Sequence, residues 1–335
     1  MEILLNDNIP INWWESFLTI NPFASPFQTN EYFKFFNSVK GFASEAVAVV
    51  DSDRIIALAV ITLQKENGIK GFFTRRGIIY GGPLVDPGTP EALNFLLKGI
   101  SDTLKNKTIY LETRNLNDYS SYKSIFHVNN WLYTSHLNFH LDINNENQVL
   151  SGIKYNRKRE IKLSIAEGAY YEECHSLSDL NELYLILKEL YVFKVKLPVP
   201  SYSFFKIFFE RNLGKIFIVK HNDKIIGGCI CPKLYNKALY TLYYCGLRDY
   251  HKKIFPTHLA IFAAIEYAIK NNITKLDFMG AGKPGVDYGV RKYKQEFGGK
   301  LVEHGRFIKV QNPILYYIGI FALKIYKMQY LLRTR

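Results

Sequence analysis

Asp277 stands in an apolar run, Ile273-Thr274-Lys275-Leu276-Asp277-Phe278-Met279. A glycine-rich stretch, Gly280-Ala281-Gly282-Lys283-Pro284-Gly285, follows at once, and then the cation-rich Gly289-Val290-Arg291-Lys292-Tyr293-Lys294. A carboxylate and several cations this close together make the stretch a candidate site for charge-based chemistry. The alternation of apolar and polar residues up to Met279 predicts a short, half-buried strand, and the glycines and Pro284 predict a wide polar loop after it. Val286, Val290, Tyr293 and Phe297 recur at three- and four-residue steps. A short helix therefore buries that stripe and places Asp287, Arg291 and Lys294 on another row, where a carboxylate at the strand end faces cations. The loop is not a nucleotide P-loop, since Asp277 occupies the place of its first glycine and Pro284 that of its Ser or Thr.

The elements that must position these residues recur along the chain. Runs at 46–50 and 55–63 join through Asp51-Ser52-Asp53-Arg54 as a hairpin, and runs at 215–220 and 224–231 join through His221-Asn222-Asp223 as its echo. A strand or hairpin from Gly71 to Leu84 is matched by one from Ala238 to Cys245. Thr89-Pro90 and Pro256-Thr257 each open an apolar-striped helix, and the strands that follow carry Glu112 and Asp277 in equivalent places. Hairpin, strand, helix and acid-bearing strand in the same order predict two copies of one α/β domain. The aromatic-rich start, from Trp13 to Phe36, reads as core-packing helices, and Ser178 and Ser201 read as helix N-caps.

Between the copies, Leu150 to Lys162 keeps helical period around Lys154, Arg157, Lys158, Arg159 and Lys162. Such a helix either grips phosphates or is a solvated linker. The expected boundaries are 1–149 and 150–312 for the two domains, with an apolar and basic helix over 313–335.

Composition limits the partners. The chain has 335 residues, 48% of them hydrophobic, and a formal net charge of +13, which suits a polyanionic partner such as RNA, a nucleotide or an anionic membrane surface. Cys174, Cys229, Cys231 and Cys245 have no metal-ligand or disulfide-scaffold spacing and read as reduced core cysteines, and no metal site is expected. With no basic and long apolar leader at the start, a cytoplasmic location follows. Ile314 to Leu323 is uncharged, then Lys324, Lys327 and Arg333 appear, a pattern suited to peripheral contact with the inner face of the membrane or to packing on the protein.

Four stretches resemble the Fem family of peptidyltransferases: Gly77-Ile78-Ile79-Tyr80-Gly81-Gly82-Pro83-Leu84, Glu112-Thr113-Arg114-Asn115, Arg159-Glu160-Ile161-Lys162 with Gly168, and, most specifically, Gly289 to Gly298, where an aromatic-lysine pair precedes Phe-Gly. The resemblance implies two tandem GNAT-like acyltransferase domains, each a mixed central sheet flanked by helices. It implies transfer of an aminoacyl group from aminoacyl-tRNA to an amine of a lipid-linked or nucleotide-linked peptidoglycan precursor, with no resident cofactor. Lys294 matches the family's lysine and would stabilise the oxyanion. Asp277 would take a proton or anchor Arg291, Lys283 and Tyr288 with Arg291 would bind the acceptor, and Arg157, Lys158 and Arg159 would bind phosphates. Departures are Leu163 and Ser164 in place of a basic residue and an alanine, and the absence of a long heptad arm. His251 and Lys253 stand where a GNAT pyrophosphate loop has glycines. The alternative is an acyl-CoA-dependent N-acyltransferase acting on an amino sugar or another envelope intermediate.

Overall fold

The computed structural model describes residues 1–65 and 70–322 and resolves two compact units. The first comprises residues 1–135 with the segment from His304, and the second His136–Glu303. The chain thus passes into the second unit earlier than the expected boundary after residue 149, and re-enters the first before residue 312. Strand pairing is the reason, as the sheets show.

In the first unit the strands are β1 (Glu2–Leu5), β2 (Phe42–Asp51), β3 (Arg54–Gln64), β4 (Arg76–Gly81), β5 (Leu84–Val85), β6 (Tyr110–Asn115) and β7 (Leu132–Thr134). The helices are α1 (Ile11–Ile20), α2 (Asn30–Ser38), α3 (Lys70–Thr74), α4 (Ala92–Leu104) and α5 (Lys123–Val128). In the second they are β8 (Leu137–Asp142), α6 (Glu146–Gly152), α7 (Tyr155–Ala166), β9 (Tyr170–Glu173), α8 (Leu177–Leu190), α9 (Tyr202–Glu210), β10 (Gly214–His221) and β11 (Lys224–Leu234). The second unit continues with β12 (Ala238–Tyr240), β13 (Tyr243–Gly246), α10 (Pro256–Lys270), β14 (Lys275–Gly280), α11 (Gly289–Gln295) and β15 (Lys300–Glu303), after which β16 (Arg306–Val310) returns to the first sheet.

The first sheet runs β1-β2-β3-β4-β6-β16-β7 and the second, from its other edge, β9-β10-β11-β12-β14-β8-β15. The two orders are the same, element for element. The repeat extends to single residues: Glu112 lies beside Ile78 and opposite Ile308, and Asp277 lies beside Tyr240 and opposite His140. Each sheet therefore receives one strand, β16 or β8, from beyond the expected domain boundary. Both expected hairpins form, and the second turns through Asn222 and Asp223 at φ 48° and 58°, values that these residue types tolerate and hairpin twist favours.

Burial follows the patterning. Trp14 and Phe35 are fully buried in the first unit, and Leu259, Ile265 and Phe278 in the second. The four cysteines are buried and unpaired. Local differences have local causes. The basic segment is two helices, because Ile153 and Lys154 adopt extended ψ of 130° and 146° between α6 and α7. Ser176 rather than Ser178 caps α8, its side chain accepting from the Asp179 N–H. The expected strand from Ala238 to Cys245 breaks into β12 and β13, and part of the run from Gly71 is helical. No described helix is long and apolar enough to cross a membrane.

Candidate active site

The break between β12 and β13 opens the second sheet. β12 runs parallel to β14 as far as Tyr240 beside Asp277, where the Thr241 N–H still reaches the Asp277 carbonyl at 2.9 Å. β13 then pairs with β11. In the first unit the equivalent strands stay together, β4 pairing with β6 for three more residues to Gly81 beside Asn115. Tyr119 and Gln28 lace that turn through hydrogen bonds to the Pro83 and Gly82 carbonyls, each at 2.7 Å. The open strand end belongs to the second unit.

At that end β14 bulges. Its register with β8 shifts between Asp277 and Gly280, and Met279 takes φ 62°. A bulge frees backbone groups and re-aims side chains, which is why bulges favour active sites. Lys294, on α11, fills the need: its ammonium donates to the carbonyls of Phe278 and of Gly280, the latter at 2.8 Å. Lys294 is only 5% exposed. Burial lowers its pKa to about 8, although the charge of Asp277 works in the other direction. An ammonium has three N–H donors, and the two carbonyls use two of them.

Asp277 is fully buried. One carboxylate oxygen accepts from the Met279 N–H at 2.7 Å and the other lies 3.0 Å from His140 Nε2. Burial pushes its pKa up, but His140, Lys275 and the Met279 N–H together hold it below the usual carboxylate value. The expected contact with Arg291 does not form. Arg291 instead donates to the carbonyls of Ala281, at 2.9 Å, and Lys283, and so ties the glycine loop to α11. Gly282 must be glycine there: its φ is 80°, and a Cβ would sit 2.9 Å from the Tyr288 ring. Lys283 and Tyr288 are exposed on that loop.

The basic helix divides by role. Arg157 is 8% exposed, pairs with Glu160 at 2.8 Å and with Glu296, and lies 5.0 Å over the Tyr293 ring and 5.4 Å over that of Phe297. It is a strut between α7 and α11, and its pairing with two carboxylates corrects the expectation of a phosphate grip. Lys158 donates to the Ser151 carbonyl at 3.0 Å, and Arg159 is exposed. His140, Thr241 and Tyr293 were not singled out for chemistry by the sequence. His140 arrives on a distant strand and carries no local signal. Tyr293 read as packing, yet its buried hydroxyl has no hydrogen-bond partner among the described residues, and neither does that of Thr241.

Residues 219–324 match the model of the FemAB family. This chain carries a FemAB-family segment. The FemAB-family match covers β14, the glycine loop and α11 together. Among curated proteins none matches the chain. The crystal structure of FemX is similar at TM-score 0.74 and 15% identity, over 95% of this chain and 99% of that one. A tandem GNAT protein from the clavulanic acid biosynthesis pathway is similar at 0.60 and 11%, over 93% and 99%. The L-PGS from Bacillus licheniformis is similar at 0.57 and 12%, over 91% and 92%. At these identities the likeness is one of fold, and it makes the two units tandem GNAT-like domains. Fold and FemAB-family segment together support an acyltransferase.

Proposed function

We propose that this chain transfers an aminoacyl group from aminoacyl-tRNA to an amine of a cell-wall or other envelope precursor. The observation that carries the reading is Lys294, a buried cation fixed by two carbonyls at an opened strand end, with one N–H left to donate. In the proposed reaction the acceptor amine attacks the ester carbonyl of the donor. The new C–N bond forms, the carbonyl oxygen becomes an oxyanion met by Lys294, and collapse expels the ribose oxygen, which leaves with a proton as the hydroxyl of the tRNA. A preorganised donor in a dry site costs no reorganisation as that charge develops. Asp277 is too enclosed to reach an incoming amine. We assign it the positioning role of favouring the charged form of Lys294.

The donor assignment rests on the segment before α10. Pro256 has no N–H, and the Phe255 N–H is taken by the Ser164 hydroxyl at 2.9 Å, so backbone donors that would cradle a diphosphate are used or missing. Arg248, His251 and Lys252 are exposed there instead and suit a nucleic-acid backbone. The solved proteins of similar fold include FemX and L-PGS, which support aminoacyl transfer, and a tandem GNAT protein solved without AcCoA, which makes the acyl-CoA reaction the competing reading. The test offers charged tRNA and acetyl-CoA separately, with an amine-bearing muropeptide precursor as acceptor. Ribonuclease-sensitive transfer, with tRNA binding that weakens steeply as salt rises, is expected. Stoichiometric acetyl-CoA binding with acetyl transfer overturns the donor assignment in favour of the acyl-CoA reaction.

A further inference from the structure

The helix over residues 313–322 begins with Asn312, whose side chain accepts from the Leu315 N–H at 3.0 Å, followed by Pro313 at the first helical position. Its inner face carries Leu315, Tyr316, Gly319 and Ile320, all partly buried. Tyr316 packs on Tyr110 with ring centroids 5.5 Å apart, and Gly319 comes close enough to α3 that a Cβ would lie 3.5 Å from the Phe73 carbonyl oxygen. The outer face should be polar if water covered it. It is not. Ile314, Tyr317, Ile318 and Phe321 recur there at i, i+3, i+4 and i+7, with exposures of 74, 68, 46 and 66%. Phe72 and Phe73 on the adjoining α3 are exposed by 53 and 38%. A helix apolar on both faces expects burial on both.

Charge identifies what covers the outer face. After Glu303 the sequence has no Asp or Glu, while Lys324, Lys327, Arg333 and Arg335 follow the helix in residues outside those described. Apolar area beside unopposed cations is the chemistry of an anionic lipid surface, where each cation strengthens binding by about fivefold. We propose that the outer face of the 313–322 helix, with Phe72 and Phe73, docks this protein on an anionic bilayer. The inference does not depend on which acyl donor is used.

The test is cosedimentation of the full chain with vesicles of phosphatidylcholine alone or containing about one third phosphatidylglycerol. Binding is expected to the anionic vesicles, and to fall with salt as the screening length shrinks from about 10 Å at 0.1 M to about 3 Å at 1 M. The double variant Phe72→Ser, Phe321→Ser touches exposed side chains, so it should keep its melting curve while binding weakens by about a hundredfold, roughly tenfold for each apolar side chain removed. Val128→Ser, at an equally exposed residue of α5, should bind as the parent does. Indifference to phosphatidylglycerol, or undiminished binding by the double variant, overturns the proposal. So does a stable dimer of the parent that the double variant abolishes, which would give the face to a second copy of the chain.

Discussion

Replacing Lys294 with Met keeps most of the side-chain length and deletes the charge, so it separates the lysine's chemical role from its structural one. Lowering its pKa from 10.5 to about 8 corresponds to about 3 kcal/mol against the charged form in the fold. The sign follows: the folded chain holds this proton less tightly than the unfolded chain, so below pH 8 the full cost of burying the charge is present, and it is relieved as pH rises toward 10.5. Met removes that cost but strands the Phe278 and Gly280 carbonyls, at about 1 to 3 kcal/mol each if both stay dry. The two effects are of similar size and opposite sign. The variant should therefore fold with stability within about 3 kcal/mol of the parent, while single-turnover transfer at saturating donor and acceptor slows by about two to three orders of magnitude. Lys292→Met is the control, since Lys292 lies on the exposed side of α11 and pairs with Asp287 at 2.9 Å. In the parent, transfer should decline as pH rises through about 8, where the ammonium is lost. Near-parental turnover by Lys294→Met would refute the oxyanion assignment and leave the lysine a strut for the bulge.

Arg157→Ala should lower the stability of the second unit by about 2 kcal/mol through lost stacking and pairing, measured by urea unfolding, whereas a phosphate-gripping arginine would leave stability unchanged and weaken only tRNA binding. His258 is depressed to about 3 by burial and by Arg157, so at neutral pH it is uncharged and its 3.8 Å approach to Glu160 is not an ion pair. Its contribution is intact above pH 6.5 and is lost as pH falls toward 3, at up to about 1.4 kcal/mol per pH unit. Unfolding midpoints between pH 7 and pH 4 should fall less in His258→Leu than in the parent, and an equal fall in both would remove His258 as the cause.

Much of this arrangement was legible because it is local. Period-two and period-3.6 patterning placed β2, β3, β10, β11 and α10 closely, and the Glu112–Asp277 equivalence held to the residue. Lys294 reached the end of β14, but the helical stripe is shorter than expected: α11 begins at Gly289, Val286 stands exposed on the loop before it, and Lys294 is itself buried. Charge partners were not legible. Asp277 meets His140 rather than Arg291, because the bulge and the incoming β8 decide which way side chains aim, and neither has a signature near Asp277. Arg157 looked like one of five equivalent cations until Tyr293, Phe297 and Glu296 closed over it. The break between β12 and β13 was hidden for a similar reason, since both halves of the run from Ala238 to Cys245 have strand composition.

The late return of β16 sets a timetable for synthesis. Glu112 meets Arg306, the more distant of its two cationic partners, 194 positions further on, and β7 pairs with β16 alone among the described strands. A ribosome adding about 5 to 20 residues per second leaves β6 with a bare edge and a half-enclosed carboxylate for about 10 to 40 s while the whole second unit emerges. By the end of that interval the second unit has every strand through β15, whereas the first sheet still lacks β16 and, with it, the pairing of β7. The half made first is thus the half finished last, and a chaperone acting on the nascent chain would find its binding edge there.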